Sequence, residues 1–172
     1  MRLTYAMLII LSIVLLQGCG GTAENLSEGM SAPQFSLQDA YGNPYNLGDW
    51  VNKAPVIIYF YPKANTSGCT KQACGVRDNF FKFEENNIKV FGISVDSKEA
   101  LQEFIKDHNL NFPLLSDEDK KVTEAYGVLN NIGMASRVTF IIDKEGKIYK
   151  ILREVDVTTH AEEILNIASG IK

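Results

Sequence analysis

Two cysteines five residues apart, Cys69 and Cys74, are the side chains of this sequence best suited to covalent chemistry. They follow an apolar run of β type at 56–61 and lie beside a helical pattern of apolar residues that includes Val76. Cys69 is therefore expected in the first turn of a helix, where unpaired backbone N–H groups and the positive end of the helix dipole favour the reactive thiolate. The second cysteine could capture the oxidised form of the first, so the pair predicts cysteine redox chemistry.

Three other residues could assist Cys69. Thr66 can cap the same helix and bring its hydroxyl near the sulfur, and Pro62 can keep the preceding loop rigid and exclude water. Arg137 is distant along the chain, but a strand beside the central one would bring its guanidinium to the thiol, where it would favour the thiolate. Backbone N–H groups around Gly68 and Cys69 could stabilise negative charge that develops during a reaction.

Each of these residues also has a structural interpretation. Cys69 and Cys74 could form a structural disulfide in an oxidising compartment, and Arg137 could be a solvated surface residue. Both histidines, His108 and His160, are interpreted as surface residues, and neither lies at a metal-ligand spacing from the cysteines. We expect no metal site and no cofactor.

The elements that position these side chains follow from the apolar periodicity. The pattern predicts a hairpin near 35–47, strands at 56–61, 88–95, 112–115, 138–142 and 147–152, and helices at 66–86, 98–108, 117–126 and 158–167. The last three helices are expected to be capped by Ser97, by Asp117 or Asp119, and by Thr158 or Thr159. Strands that alternate with helices and end in a hairpin predict a three-layer α/β domain.

Two further interpretations concern particular side chains. We expect the charged run 116–121 to be a solvated helix start. Trp50 and the aromatic triplet 59–61 are expected to line the core or a pocket.

The composition is that of a globular protein. The chain has 172 residues, of which 45% are hydrophobic and 22% charged, and this length favours one domain with a core of its own. The net charge of −4 argues against a nucleic-acid partner or electrostatic binding to an anionic membrane.

The N-terminus has a different composition. Arg2 precedes an apolar run at 3–16, which has the length of a signal peptide and is short for a membrane span of about 20 apolar residues. The sequence Leu-Gln-Gly-Cys that ends at Cys19 resembles the lipobox of bacterial lipoproteins. That resemblance implies removal of residues 1–18, lipidation of Cys19, a flexible tether at 19–28, and a domain held to a membrane outside the cytosol, on the periplasmic or cell-surface side. The alternative is an ordinary secretory signal or an uncleaved anchor with an incidental cysteine.

The order of the motifs resembles that of a known family. The spacing Pro62-x-x-x-Thr66-x-x-Cys69 is similar to the active-site motif of the peroxiredoxins, within the alkyl hydroperoxide reductase/thiol-specific antioxidant family. The longer string 59–78 resembles the Q-type subfamily, the bacterioferritin comigratory proteins. The stretches that begin at Gly29 and at Ser136 are similar to that family's opening and to a late strand of it, whereas Ser67 stands where many members have proline.

The resemblance implies a thioredoxin fold with an N-terminal β-hairpin extension over 29–172. It also implies a thiol-dependent peroxidase that reduces hydrogen peroxide and organic hydroperoxides. Cys69 would become a sulfenic acid, Cys74 would resolve it as an intramolecular disulfide, and a thioredoxin-like reductant would recycle the enzyme. Thr66, Gly68, Cys69 and Arg137 would bind the substrate, and the protein would be a monomer.

Helix geometry adds a constraint on this cycle. Residues i and i+5 of an α-helix have Cα atoms about 8–9 Å apart, whereas a disulfide needs about 7 Å or less. If Cys69 and Cys74 share a helix, disulfide formation must unwind part of it.

Two other functions would use similar residues. Thiol–disulfide oxidoreductases of the thioredoxin-like lipoprotein type carry Cys-x-x-Cys, whereas four residues separate the cysteines here. Copper-delivery proteins of the cytochrome-oxidase-assembly type carry Cys-x-x-x-Cys and a distant histidine ligand. Neither spacing fits this chain.

Overall fold

The computed structural model of the protein describes residues 26–171. The predicted signal peptide, Cys19 and most of the predicted tether lie outside the described residues. Within residues 26–171, no helix is both long enough and apolar enough to cross a membrane.

Strands and helices alternate along the chain, as the sequence predicts. The strands are β1 (Ser36–Asp39), β2 (Pro44–Asn46), β3 (Val56–Phe60), β4 (Lys89–Ser94), β5 (Leu114–Ser116), β6 (Val138–Ile142) and β7 (Ile148–Leu152). The helices are α1 (Ser67–Glu85), α2 (Lys98–His108), α3 (Lys121–Ala125) and α4 (His160–Ser169). The predicted hairpins are β1–β2 and β6–β7.

The strands form one sheet in the order β2-β1-β5-β4-β3-β6-β7. The central strand β3 is parallel to β4 and antiparallel to β6, with Tyr59 opposite Thr139 and Phe60 opposite Val138. Because the two strands run in opposite directions, the start of β6 lies beside the end of β3. This register brings Arg137, the residue before β6, to the same edge of the sheet as the loop that leads from β3 to Cys69.

The two faces of the sheet bury separate apolar clusters. Side chains of β3 alternate between them: Ile57 and Tyr59 pack with α1, α2 and α4, whereas Ile58 and Phe60 pack on the face covered by α3. All five β3 residues are buried because both faces are covered. This arrangement is the predicted three-layer α/β/α architecture.

The aromatic residues near the centre of the fold occupy the predicted positions. The triplet 59–61 is buried, and the Trp50 ring packs on that of Phe91 with centroids 6.3 Å apart.

Two helices start later than the sequence predicts, α3 at Lys121 and α4 at His160. Asp117 is buried, and its carboxylate accepts hydrogen bonds from the N–H groups of Val122 at 3.2 Å and Thr123 at 2.6 Å. The charged run 116–121 is thus not uniformly solvated, because its Asp117 satisfies the orphan donors of α3. Thr159 occupies the cap position of α4 without a side-chain hydrogen bond.

The described part of the predicted tether contacts the domain. The Glu28 carboxylate lies 3.0 Å from the Lys150 ammonium and accepts a hydrogen bond from the Ile151 N–H at 3.3 Å. Leu26 packs against the apolar cluster on the α3 face. The contacts of the folded domain therefore begin before Gly29.

Candidate active site

Cys69 lies in the first turn of α1 with only 2% of its surface exposed, and it is a free thiol. The Arg137 Nη2 donates a hydrogen bond to the Cys69 Sγ at 3.3 Å. The register of β3 and β6 and the start of α1 thus bring together the two residues that the sequence singles out. The contact places a positively charged hydrogen-bond donor directly at the sulfur.

The loop between β3 and α1 fixes where the helix begins. Asn65 adopts a left-handed conformation with φ 58°, and Thr66 then takes the cap position of α1. The Asp96 carboxylate accepts a hydrogen bond from the Ala64 N–H at 2.8 Å, which anchors the loop to the residues that follow β4. Nothing in the sequence singles out Asp96, because its contact spans 32 positions of the chain.

Thr66 is placed differently from its prediction. It is exposed, and its hydroxyl donates to the Lys63 carbonyl at 3.0 Å rather than capping α1 through a side-chain hydrogen bond. Pro62 is half-buried at the start of the same loop. The loop, not the helix, therefore engages the Thr66 hydroxyl in the reduced protein.

Gly68 lies against the arginine. A Cβ atom built on Gly68 would be 3.4 Å from the Arg137 Nη2. The start of α1 thus lies against the guanidinium that bonds to the sulfur, so backbone N–H groups and a positive charge are both near the place where an oxygen atom would react.

A chain of buried polar side chains supports the arginine from behind. The Arg137 Nη1 donates to the Gln72 Oε1, the Gln72 Nε2 lies 3.2 Å from the His160 Nδ1, and the His160 Nε2 lies 2.8 Å from the Thr139 Oγ1. Gln72, Thr139 and His160 are each at most 1% exposed. The network joins α1, β6 and α4 behind the reactive sulfur.

The interpretation of His160 as a surface residue is wrong. α4 packs across α1, so its first residue points into the core, where the imidazole meets the Tyr59 ring at a centroid distance of 5.9 Å. A signal was present in the sequence: His160, Ile164 and Ala168 recur at a spacing of four, which puts the histidine on the buried face of α4. The pKa of His160 is lowered to about 4, mainly by burial and to a smaller extent by the positive charge of Arg137.

The other histidine fits its prediction better. His108 is partly exposed at the end of α2, and its Nε2 lies 3.1 Å from the Asn65 Oδ1. In the part of the chain that the structure describes, no group of three or more His, Cys, Asp or Glu side chains could hold a metal ion.

Cys74 is also a free thiol, half-buried, on the same helix as Cys69. The prediction that one helix carries both cysteines is confirmed. Two residues five apart in regular α-helix have Cα atoms about 8–9 Å apart, beyond the roughly 7 Å limit for a disulfide. Gln72 lies between them and is held by Arg137 and His160.

Comparison with known proteins agrees with this geometry. Residues 29–151 match the AhpC/TSA family. The chain is 41% identical over 148 residues to Peroxiredoxin Bcp of Escherichia coli, which covers 82% of this chain and 94% of that one. The crystal structure of Peroxidoxin BcpB from Mycobacterium tuberculosis has a TM-score of 0.79 at 32% identity, over 86% of this chain and 99% of that one. A structure of the Xanthomonas campestris bacterioferritin comigratory protein, described as giving insights into its alkyl peroxide reduction activity, has a TM-score of 0.74 at 26% identity. The match covers 81% of this chain and 96% of that one.

The fold and the site define a thioredoxin-like domain with a reactive cysteine at a helix start. The chain belongs to the AhpC/TSA family. Its relatives are peroxiredoxins of the Bcp type, as the motifs around Cys69 predict.

Proposed function

We propose that this protein is a thiol-dependent peroxidase that reduces hydrogen peroxide and organic hydroperoxides. The observation that carries the proposal is the hydrogen bond from Arg137 to the buried sulfur of Cys69 at the start of α1. The relatives add support, since they are named as peroxiredoxins and one is described by its alkyl peroxide reduction activity.

In the first step the Cys69 thiolate attacks one oxygen of the hydroperoxide. The O–O bond breaks, the sulfur becomes a sulfenic acid, and the second oxygen leaves as an alcohol, or as water when the substrate is hydrogen peroxide. Arg137 and the backbone N–H groups of the first helical turn stabilise the negative charge that moves onto the leaving oxygen.

In the second step the thiol of Cys74 attacks the sulfenic sulfur. An S–S bond forms, the S–O bond of the sulfenic acid breaks, and the oxygen leaves as water; the two thiols together have then supplied the two electrons that reduce the hydroperoxide. The helix between the two residues must unwind first, because its regular geometry holds the sulfurs apart. A thioredoxin-like dithiol then reduces the disulfide by thiol–disulfide exchange.

The two other functions are less well supported. A copper-delivery protein needs a histidine ligand. His160 offers no free ring nitrogen for this role, because both of its ring nitrogens have hydrogen-bond partners in the core. A thiol–disulfide oxidoreductase would need two cysteines close enough to bond within an intact site, whereas α1 separates Cys69 from Cys74.

Two finer features remain proposals from the sequence. Cys19 is lipidated, and this lipid holds the domain to a membrane outside the cytosol. The enzyme works as a monomer, since Cys69 and Cys74 lie on one helix of one chain and resolution needs no second copy.

The direct test is peroxide-dependent oxidation of reduced thioredoxin by the purified protein. The wild type should turn over many times, Cys69→Ser should be inactive, and Cys74→Ser should lose turnover with thioredoxin. Normal turnover by Cys69→Ser would refute the proposal. Reduction of insulin or binding of copper at one equivalent, without peroxidase turnover, would support one of the other functions.

A further inference from the structure

The donor and acceptor roles in the buried network are fixed by its arginine. A guanidinium can only donate, so the atom of Gln72 that faces Arg137 must be the amide oxygen. The amide nitrogen of Gln72 must then face His160, and the His160 Nδ1 must accept. The imidazole is therefore neutral with its proton on Nε2, from which it donates to the Thr139 Oγ1.

Burial makes each of these bonds depend on the next. Gln72, His160 and Thr139 have almost no contact with solvent, so a partner lost from the network is not replaced by water. If the Nδ1 acceptor were absent, the Gln72 amide could keep its oxygen toward Arg137 only with an unsatisfied buried N–H group. A rotated amide would present N–H donors to the guanidinium, which also donates.

We propose that His160 is a positioning residue for the reaction of Cys69: its Nδ1 orients the Gln72 amide, whose oxygen holds the Arg137 guanidinium against the sulfur. The inference rests on the proposed function and adds a residue of α4 that touches neither substrate nor sulfur. A single contact at 3.3 Å between Arg137 and Cys69 is easily lost, because a long side chain has many rotamers. The network removes that freedom, and α4 supplies its far end.

Two variants at one position separate the roles of the imidazole. In His160→Asn the side-chain oxygen takes the place of Nδ1 and keeps the acceptor for Gln72. In His160→Gln the longer side chain keeps a polar group at the place of Nε2, facing Thr139, and loses the acceptor. A third variant, His160→Phe, keeps a ring against Tyr59 and loses both hydrogen bonds.

The measurement is the second-order rate constant for hydrogen peroxide, together with the rate of Cys69 alkylation by iodoacetamide at neutral pH, both in a Cys74→Ser background. Alkylation follows the thiolate and needs no peroxidase activity. We expect His160→Gln and His160→Phe to slow the peroxide reaction about tenfold to a hundredfold, since small displacements of catalytic groups have effects of this size. His160→Asn should keep most of the wild-type rate.

The effect must also require the arginine. In an Arg137→Met background, His160→Gln and His160→Phe should produce no further loss in either rate. Ile164→Ala is the stability control: this residue is buried on the same face of α4, so the variant should lower the melting temperature without changing either rate.

The outcomes distinguish the inference from the function it rests on. Equal rates for His160→Gln and wild type, or equal losses with and without Arg137, would overturn the positioning role while the peroxidase remains. If His160→Phe does not fold, the comparison of His160→Asn with His160→Gln still decides. If Arg137→Met itself leaves both rates unchanged, the proposed active site is wrong.

Discussion

Arg137 donates a hydrogen bond to the sulfur of Cys69 at 3.3 Å although 68 positions separate the two residues along the chain. The contact exists because β6 runs antiparallel to β3, so the residue before β6 lies next to the loop that starts α1. The arginine is thus the positively charged group that the fold brings to the reacting sulfur.

Replacement of Arg137 by methionine should slow the peroxide reaction by about a hundredfold or more, because a preorganised donor at the reacting atoms is lost. Methionine keeps the packing volume but neither the charge nor the donors. The measurement is the second-order rate constant for hydrogen peroxide. Arg77→Met is the matched control, since that guanidinium bonds to Asp78 and to the His108 carbonyl. An unchanged rate in Arg137→Met would place the arginine outside the reaction.

Oxidation to the disulfide should loosen the start of α1. Amide hydrogen exchange should be faster at residues 66–77 in the disulfide form than in the dithiol form, because the helix must unwind for Cys69 and Cys74 to bond. Residues 56–60 should change little, since β3 is buried at the centre of the sheet. Equal protection of α1 in both redox states would mean that resolution does not use Cys74 of the same chain.

The pH dependence of stability should carry a contribution from His160. Its pKa is lowered to about 4 in the folded protein, whereas an unfolded chain has the ordinary value of 6.5. As the pH falls below 6.5 the unfolded state binds the proton first, so stability is lost between pH 6.5 and about 4, by up to about 3 kcal/mol. The measurement is urea unfolding across that range.

His160→Asn is the control for this titration. The variant has no group that titrates at this position, so its stability should fall less steeply between pH 6.5 and about 4 than that of the wild type. The other groups that titrate in this pH range are the same in both proteins, so their contributions to the change in stability cancel in the comparison. Parallel curves for the two proteins would show that His160 does not titrate with a lowered pKa.

Cys19 should anchor the protein and take no part in catalysis. A chain that begins at Leu26 keeps the contacts of Glu28 with β7 and should be soluble and fully active. The Cys19→Ser full-length protein should lose membrane association. Detergent partitioning and the mass of the N-terminal peptide measure both effects. An unlipidated, soluble wild type would leave only the ordinary secretory signal.

Much of the site could be predicted because its determinants are local in sequence. The apolar run before Cys69 and the helical pattern around Val76 place the thiol at a helix start without any tertiary information. Arg137 could be assigned only through the family resemblance and the expectation that a neighbouring strand brings it close. The pairing of β6 with β3, which brings Arg137 close to Cys69, depends on the register of the sheet.

The residues that were missed depend on packing between elements. Gln72 and His160 are polar residues on helix faces, and nothing in their own sequence says that α4 crosses α1 so that the two side chains meet. Their spacing relative to buried neighbours is the one local signal, since Cys69, Gln72, Ala73 and Val76 share a buried face. For Thr66 the local signal predicted the position but not the contact. The residue occupies the cap position, as its type predicts, but its hydroxyl bonds to the loop.

The most direct measurement starts from the reduced Cys74→Ser protein, to which one equivalent of hydrogen peroxide and then a reagent that traps sulfenic acids are added. The readout is the mass of the peptide that contains Cys69. If Cys69 is the nucleophile, that peptide should carry the trapped sulfenic acid, formed stoichiometrically within the mixing time, and excess peroxide should drive it to sulfinic acid. A Cys69 thiol that survives the same treatment unmodified, in a protein that is otherwise folded, would contradict the assignment of this protein as a peroxidase.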